Sequence, residues 1–257
     1  MKISIIGAGN MGGAIARGLA AKGIYNICVS NPSEAKLVAI KNEFPKVETT
    51  TDNKSAVAGA DIVVLAVKPW LVQTVVEEVR DALEPQTQQI VSVAAGISTS
   101  SLSEWLGGKK MPVYYVIPNT AISIGRSMTF IASENAGAEQ LEAVKSLFGE
   151  LGETLVIEEK QMKACMALAS CGIAYAMRYV RASVEGAVEL GIRPDTATMI
   201  VANTMNGAAE LLKATGNHPE VEIDKVTTPG GLTIKGLNAL EAHGFTTAVI
   251  EALKASL

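Results

Sequence analysis

A glycine-rich turn near the N-terminus has the residue types and spacing to bind a dinucleotide. Gly7, Gly9 and Gly12 follow the apolar run Lys2–Ile6 and open a helical pattern. In this context Gly7 permits a tight turn, Gly9 lets a pyrophosphate approach, and Gly12 allows close packing of helix on strand. Free N–H groups at the start of the helix would bind the phosphates. Because a strand precedes the glycines and a helix follows them, the pattern favours a dinucleotide site over an ordinary turn.

The end of the second predicted strand bears on which dinucleotide is bound. An Asp or Glu there would bind the ribose 2′-hydroxyl and favour NAD. This chain has Ser30 and Asn31 instead, with Lys36 nearby and no arginine to clamp a phosphate. Neutral donors with a lysine favour a 2′-phosphate, so we expect NADPH, with NADH as the alternative.

A second segment that could bind a ligand is Thr228–Thr233, which reads TPGGLT. Its two successive glycines, Gly230 and Gly231, free backbone N–H groups in a turn that opens a helix, and such a turn can bind a carboxylate. Taken alone, Thr228 and Thr233 fit helix capping better than substrate binding.

The elements that position these turns alternate between strands and helices, which predicts a doubly wound, Rossmann-like parallel sheet of class α/β over residues 1–157. Predicted strands are Lys2–Ile6, Asn26–Val29, Ile62–Val67, Gln89–Val93, Val113–Ile117 and Thr154–Ile157, with a mixed or antiparallel strand at Met128–Ala132. Predicted helices are Met11–Ala21, Ser33–Asn42, Pro69–Ala82, Ser100–Trp105 and Ala138–Phe148.

From residue 158 to residue 257 the pattern is helical. Gln161–Leu190 carries no proline and many small residues, which predicts one long helix that ends at Gly191. A second helix is predicted over Pro194–Ala214, followed by an acidic stretch and by two short helices divided at His243-Gly244. An all-helical domain of this size rarely closes a core alone, so we expect a substrate and dimerisation domain and a homodimer.

Composition excludes several classes of function. Lys and Arg number 22 against 26 Asp and Glu, so neither nucleic acid nor an anionic membrane is an expected partner. No apolar run reaches the length of a transmembrane helix, and glycines interrupt the N-terminus too early for a signal peptide; we expect a cytoplasmic protein. Three cysteines and two histidines without ligand spacing predict neither a disulfide framework nor a metal site.

Taken together, the motifs resemble those of the pyrroline-5-carboxylate reductases. The resemblance covers nearly the whole chain: IIGAGNMGGAIARGL at the start, LAVKP at Leu65–Pro69, SVAAGIS at Ser92–Ser98, PNT at Pro118–Thr120 and VTTPGGLTIKGLNALE at Val226–Glu241. It implies a Rossmann domain followed by a helical domain that interlocks with a second subunit, with larger rings as a further assembly. It also implies hydride transfer from NAD(P)H to the C=N carbon of a cyclic imino acid, the last step of proline biosynthesis.

This reaction requires few catalytic groups from the protein. The carbon of a protonated imine is already electrophilic, so the residues need only hold a small-molecule substrate in a near-attack geometry and hydrogen-bond its nitrogen. By resemblance, Thr233 is the catalytic residue, whose hydroxyl meets the substrate nitrogen. Thr228 lies beside the carboxylate, and Gly230 and Gly231 complete the substrate site.

The resemblance also implies which residues contact the cofactor. Asn53 matches a position near the 2′-phosphate, although a turn formed by Asp52-Asn53 is an equally good interpretation. Lys68 is interpreted as a solvated or phosphate-facing charge rather than a base. The implied cofactor site consists of Gly7, Gly9, Asn10, Met11, Gly12, Ser30, Asn31, Lys36, Asn53, Ala66, Val67, Lys68, Pro69, Ala94, Gly96 and Asn119.

The chain departs from the family pattern at three places. Ala169–Tyr175 reads ASCGIAY where SGSGPAY is usual, Ile117–Ala121 reads IPNTA where MPNTP is usual, and Tyr115 stands where an arginine is common. The first departure lies on the helix that would line the substrate side of the pocket. We interpret Cys171 as a packed small residue rather than a nucleophile.

Two other functions stay open at this point. One is a relative that acts on another cyclic imine or on a small β-hydroxy acid, with Lys163 as the candidate base. The other is a weakly active paralogue that binds NADPH as a sensor or partner. The altered Ala169–Tyr175 segment favours the paralogue, and the intact Thr228 and Thr233 oppose it.

Overall fold

The structure, a computed structural model, describes every residue from Met1 to Leu257. Eight strands form one sheet in the order β3-β2-β1-β4-β5-β6-β7-β8. The first six strands in this order are parallel, whereas β7 is antiparallel to β6 and parallel to β8. The strands are β1 Lys2–Ile6, β2 Asn26–Ser30, β3 Glu48–Thr50, β4 Ile62–Leu65, β5 Gln89–Ser92, β6 Val113–Ile117, β7 Ser127–Glu134 and β8 Gly152–Val156. The order 3-2-1-4-5-6 confirms the predicted doubly wound, Rossmann-like sheet.

The sheet is buried on both faces because successive side chains of a strand point to opposite sides. Ile3 and Ile5 of β1 belong to one buried cluster and Ile6 belongs to another, and Val64 and Val63 of β4 are divided in the same way. The first cluster takes in apolar residues of the helices after β1, β2 and β7, and the second takes in those after β4 and β5. Continuous apolar runs such as IVVL in β4 therefore form buried parallel strands.

Helices connect the strands at nearly the predicted positions. They are α1 Asn10–Lys22, α2 Glu34–Glu43, α3 Asn53–Val57, α4 Pro69–Val79, α5 Thr99–Trp105 and α6 Ala138–Gly149. The strand predicted over Ile62–Val67 is shorter in the structure, because β4 ends at Leu65, level with Ile6, the last residue of its partner β1. The sequence did not predict β3, α3 or the 3₁₀ turn Thr120–Ile124.

The C-terminal part contains only helices, as predicted, but the expected long helix over Gln161–Leu190 is divided. A 3₁₀ turn at Glu159–Gln161 precedes it, and a π-helical turn, Ala167–Cys171, interrupts it. The helices are α7 Met162–Met166, α8 Gly172–Glu189, α9 Pro194–Thr215, α10 Pro219–Lys225, α11 Leu232–Ala242 and α12 Phe245–Lys254. The acidic stretch, for which no helix was predicted, forms α10, and the π turn overlaps the first residues of the departure from the family motif.

The chain divides into two compact units, Met1–Ser170 and Cys171–Leu257. The three buried apolar clusters all belong to the first unit. In the second unit only Val184 and Ala197 are buried apolar residues. The boundary after residue 157 stays a prediction. None of the helices combines the length and the apolar character needed to cross a membrane.

Candidate active site

The glycine turn lies where the strand order reverses, between β1 and β4. The two strands end at the same level, and the Ala66 N–H donates to the Ile6 carbonyl at 2.8 Å. Gly7 has a φ of +105°, and a Cβ added there would come within 2.5 Å of the Ala66 carbonyl oxygen. A Cβ on Gly12 would lie 1.9 Å from the Gly7 carbonyl oxygen. Both glycines are thus required by the packing of the protein itself.

Gly9 differs from its two neighbours in this motif. Its φ of −73° suits any residue, and a Cβ built on it meets no protein atom within 4 Å. It caps α1, whose first turn, beginning at Asn10 and Met11, carries backbone N–H groups without helical acceptors. A pyrophosphate bound at the start of α1 would approach the backbone at Gly9, where no side chain stands in its way. The turn therefore fits a dinucleotide phosphate, and Gly9 is the position at which a side chain would obstruct it.

Two predicted cofactor residues at the end of β2 have structural roles. The Asn31 side chain is buried, accepts the Ala8 N–H at 3.0 Å, and donates to the Ser33 carbonyl at 3.2 Å. Ser30 is completely buried, and its hydroxyl donates to Asn53 Oδ1 at 2.7 Å. Asn31 thus stabilises the glycine turn through its hydrogen bond to the Ala8 N–H. The Ser30 hydroxyl has no exposed surface through which to contact a ligand.

Asn53 is held at both ends of its amide. Besides accepting from Ser30, it donates to Glu78 Oε2 of α4 at 2.8 Å. Its neighbour Asp52 caps α3 by accepting the N–H groups of Lys54 and Ser55. The capping role thus belongs to Asp52, and Asn53 keeps one amide hydrogen free for a ligand. Glu78 is a partner that sequence reasoning missed, because it lies 25 positions away on another helix.

A cleft of about 430 Å³ lies beside the glycine turn, between α1 and α2. Gly9, Asn10, Lys36, Arg17 and Ser123 are among its lining residues. Arg17 forms two hydrogen bonds to the Glu43 carboxylate, at 2.7 and 2.9 Å, which raise the pKa of the guanidinium. No arginine lies near the end of β2 in the sequence, but the fold brings Arg17 of α1 into the same cleft as Lys36, where Glu43 engages it.

The turns after β4, β5 and β6 complete this edge of the sheet. Ala66 and Val67 lead into α4, where Lys68 is the N-cap with an exposed side chain and Pro69 is the first helical residue. Asn119 caps the 3₁₀ turn after β6 by accepting the Ala121 N–H at 3.1 Å. The predicted cofactor residues thus lie together along the carboxyl ends of the parallel strands, where ligands bind in this fold.

The turn at Ala94–Gly96 after β5 is anchored by a hydrogen bond that the sequence did not predict. The Gly96 N–H donates to the hydroxyl of Tyr115 at 2.7 Å. Tyr115 is buried, and this burial raises the pKa of its phenol. The signal in the sequence was the presence of a tyrosine where the family resemblance implies an arginine.

In the second unit, the Thr228–Thr233 segment forms a tight turn before α11. Gly230 has a φ of +70°, and the Gly231 N–H donates to the Thr228 carbonyl at 3.0 Å. A Cβ on Gly231 would lie 2.5 Å from the Thr228 hydroxyl. The positive φ of Gly230 thus favours glycine in this turn, and the missing side chain of Gly231 leaves room for the Thr228 hydroxyl.

The hydroxyls of Thr228 and Thr233 are not used by the fold. Gly231 is the N-cap of α11 and provides no side-chain cap, and neither threonine hydroxyl has a hydrogen-bond partner within the chain. Thr233 lies at the second position of α11, and both threonines are exposed. The capping interpretation left open by the sequence is therefore not what the structure contains. Two free hydroxyls beside a helix N-terminus can bind an anionic ligand with a polar atom next to its carboxylate.

The Ala169–Tyr175 segment has roles in packing. Ala169 and Cys165 pack against a buried cluster that includes Ile117 and Phe130. The Tyr175 hydroxyl hydrogen-bonds Ser256 and the Ala252 carbonyl, which ties α8 to α12. The packing of Ala169 explains why an apolar residue is tolerated at this position. Cys171 is a free cysteine.

Comparison with known proteins identifies similarity over the full length of the chain. Residues 159–257 match the family model described as pyrroline-5-carboxylate reductase dimerisation, and residues 2–96 match that of NADP oxidoreductase, coenzyme F420-dependent. Pyrroline-5-carboxylate reductase 2 of Dictyostelium discoideum is 35% identical over 98% of this chain and 89% of its own length. Reductase 1 of the same organism is also 35% identical, over 99% of this chain, which spans about half (48%) of that longer protein.

Solved structures agree with these sequence relationships. A pyrroline-5-carboxylate reductase from Coxiella burnetii is 34% identical and superimposes with a TM-score of 0.91, covering 99% of this chain and 95% of its own. The pyrroline carboxylate reductase of Plasmodium falciparum, with NADP bound, is 26% identical with a TM-score of 0.87, covering 100% of this chain and 95% of its own.

Proposed function

This chain belongs to the pyrroline-5-carboxylate reductase family, and we propose that it reduces 1-pyrroline-5-carboxylate to L-proline with NADPH. The observation that carries the proposal is the Thr228–Thr233 turn, whose two threonine hydroxyls are left free by the fold at the start of α11. A substrate with a carboxylate next to a ring nitrogen matches that set of groups.

The chain's own residues have two tasks in this reaction. Backbone N–H groups at the start of α11 and the Thr228 hydroxyl would bind the substrate carboxylate. The Thr233 hydroxyl would accept a hydrogen bond from the protonated imine and donate one to the amine that replaces it, because a hydroxyl serves as donor and acceptor. When bound, NADPH supplies the hydride to the C=N carbon. Holding these groups in a near-attack geometry accounts for most of the expected rate gain.

The first unit supplies the groups expected to hold NADPH. The N–H groups at Asn10 and Met11, in the first turn of α1, would bind the pyrophosphate, and Lys36 lines the same cleft as Asn10 without an acidic partner. Two nearby carboxylates are engaged by other side chains: Glu43 by Arg17 and Glu78 by Asn53. We therefore propose a preference for NADPH with residual use of NADH, supported by NADP in the P. falciparum relative.

Turnover of pyrroline-5-carboxylate tests the proposal directly. When purified protein is mixed with NADPH and racemic substrate, we expect the absorbance of NADPH to fall as it is oxidised. Half of the substrate should be left unreacted. The ratio of kcat/KM for NADPH over NADH is expected to exceed one. L-Proline, identified by chromatography, should form in amounts equal to the NADPH consumed.

The same assay decides between the two other functions. Cofactor binding without turnover would indicate the inactive paralogue, and turnover only with other imines or with β-hydroxy acids would indicate the related oxidoreductase. The latter requires Lys163 as a base, and Lys163 is exposed at the start of α7 with no hydrogen bond or ion pair. Nothing in its surroundings positions it for proton transfer.

We also propose that the second unit mediates homodimer formation. It buries only two apolar residues and leaves large ones exposed on several helices, including Met177, Met199 and Ile250. An isolated unit of this size cannot offset its loss of chain entropy with so little buried surface. The match to a dimerisation family supports this assignment. Larger rings and a cytoplasmic location stay predictions.

Light scattering is expected to give at least twice the mass of one chain at micromolar concentration. Met199→Glu should lower that mass, because a charge on an interface of this kind would be desolvated. Ile24→Glu is a matched control, since Ile24 is 62% exposed in the first unit and Met199 is 60% exposed in the second. A monomeric mass for the unmodified chain would contradict the proposal.

A further inference from the structure

We propose that Tyr115 is a positioning residue for the nicotinamide half of the cofactor, acting through the Gly96 N–H. The inference rests on the proposed function, because it needs a dinucleotide at the carboxyl edge of the sheet. It concerns a buried side chain that would act on the cofactor through the backbone of the Ala94–Gly96 turn.

The location of the Ala94–Gly96 turn determines which half of the dinucleotide it can contact. It follows β5, which lies on the far side of the switch point from β2. In a doubly wound sheet each half binds one mononucleotide, and the end of β2 serves the adenosine ribose. The turn after β5 therefore belongs to the nicotinamide half. Ala95 and Gly96 are exposed, so a ligand can reach them.

The turn is fixed to the sheet mainly by a hydrogen bond to Tyr115 of β6. Gly96 has a φ of +81°, and its N–H has one partner within the chain, the Tyr115 hydroxyl at 2.7 Å. Tyr115 is paired in register with Ser92, the last residue of β5, and packs in the cluster of Ile117, Phe130 and Met162. The buried ring of Tyr115 thus holds its hydroxyl oxygen against the Gly96 N–H. The pairing of β6 with β5 fixes the position of Tyr115 relative to the turn.

A second contact fixes the other end of the same segment. The Glu159 carboxylate accepts from the Thr99 N–H at 3.2 Å and from the Thr99 hydroxyl at 2.6 Å at the start of α5. Residues between these two anchors have little freedom to move toward or away from a bound nicotinamide. Because an arginine has only donors, it could not accept the Gly96 N–H. The anchor therefore depends on the phenol that this chain carries at position 115.

Tyr115→Phe tests the proposal, because it removes the anchoring oxygen and keeps the ring. We expect the Kd for NADPH to rise by about 3- to 10-fold, the range for loss of one neutral hydrogen bond. The Kd for adenosine 2′,5′-bisphosphate, which lacks the nicotinamide half, should stay unchanged. Amide hydrogen exchange at Gly96, measured without cofactor, should be at least about tenfold faster, because its only hydrogen bond is lost.

Tyr114→Phe is the matched control. Tyr114 is the adjacent tyrosine of β6, fully buried, and its hydroxyl donates to Gln89 Oε1 at 2.7 Å at the opposite end of β5. Its loss should leave both dissociation constants and Gly96 exchange as they are in the unmodified chain. Equal weakening of both ligands by Tyr115→Phe, or unchanged exchange at Gly96, would overturn the proposal. Failure of the unmodified chain to bind NADPH would instead overturn the proposed function, while the exchange measurement would still report on the anchor.

Discussion

Gly9→Ala is expected to weaken NADPH binding by about 100-fold while leaving the protein folded. The added methyl group meets no protein atom within 4 Å, and the backbone at Gly9 has a φ of −73° that alanine adopts readily. It would stand where the pyrophosphate approaches the start of α1. Displacing the phosphates costs two charge-assisted hydrogen bonds of about 1.5 kcal/mol each, and 1.4 kcal/mol corresponds to a factor of ten in Kd.

The stability cost of this change should be small. Alanine is a poorer N-cap than glycine, by no more than about 1 kcal/mol. Tm without cofactor should therefore fall by only a few degrees. Isothermal titration with NADPH gives the Kd, and a thermal scan of the cofactor-free protein gives the Tm. Binding as tight as in the unmodified protein would contradict the assignment of this turn to the phosphates.

Gly12→Ala is the contrasting variant in the same motif. Its Cβ would lie 1.9 Å from the Gly7 carbonyl oxygen and 2.8 Å from the Ala66 side chain, so the helix would have to move off the strand. We expect a loss of about 3 kcal/mol of folding stability and a Tm lower by roughly 10 °C, even without cofactor. If the two variants behaved alike, the division between a glycine needed for the fold and a glycine needed for the ligand would be wrong.

The parts of the fold that local sequence determines were predictable. Buried parallel strands are apolar throughout, and amphipathic helices between them are long, so β1, β4, β5 and β6 stand out in the sequence. Strand β3 does not, because it has three residues, Glu48–Thr50, at the sheet edge and no apolar pattern. Helix α10 was missed because it is seven residues long and acidic, and its N-cap is His218 rather than a typical capping residue.

The site was predictable where its demands are steric and local. Gly7 and Gly12 are required by close backbone contacts at the β1–α1 turn, and Gly230 is favoured by its φ of +70°. Side-chain roles were less accessible, because they depend on partners brought together by the sheet.

Asn31 and Tyr115 illustrate this limit. The sequence predicted that Asn31 binds a phosphate, whereas its buried side chain accepts a hydrogen bond from the Ala8 N–H. Tyr115 looked like a departure from a family pattern, yet it holds Gly96 across 19 positions of sequence. Such pairings depend on strand register, which no window of sequence contains.

Thr233→Ala is expected to lower kcat for pyrroline-5-carboxylate by about 100-fold. A hydrogen bond to a charged group contributes about 1.5–3 kcal/mol, and each 1.36 kcal/mol of lost transition-state stabilisation is a factor of ten in rate. The affinity for NADPH should not change, since the fold gives the Thr233 hydroxyl no role in the first unit's glycine turn. Thr233→Ser keeps the hydroxyl and should retain activity within about fivefold.

The neighbouring Thr227 provides the control for a merely structural hydroxyl. Its hydroxyl donates to the Ile223 carbonyl at 2.7 Å within the chain, whereas that of Thr233 has no such partner. Thr227→Ala should therefore lower the Tm slightly and leave kcat near that of the unmodified protein, the opposite of the result for Thr233→Ala. Steady-state kinetics and thermal scans on the three variants separate the two roles. Equal losses of kcat in Thr233→Ala and Thr233→Ser would show that the methyl group, and not the hydroxyl, is what the reaction requires.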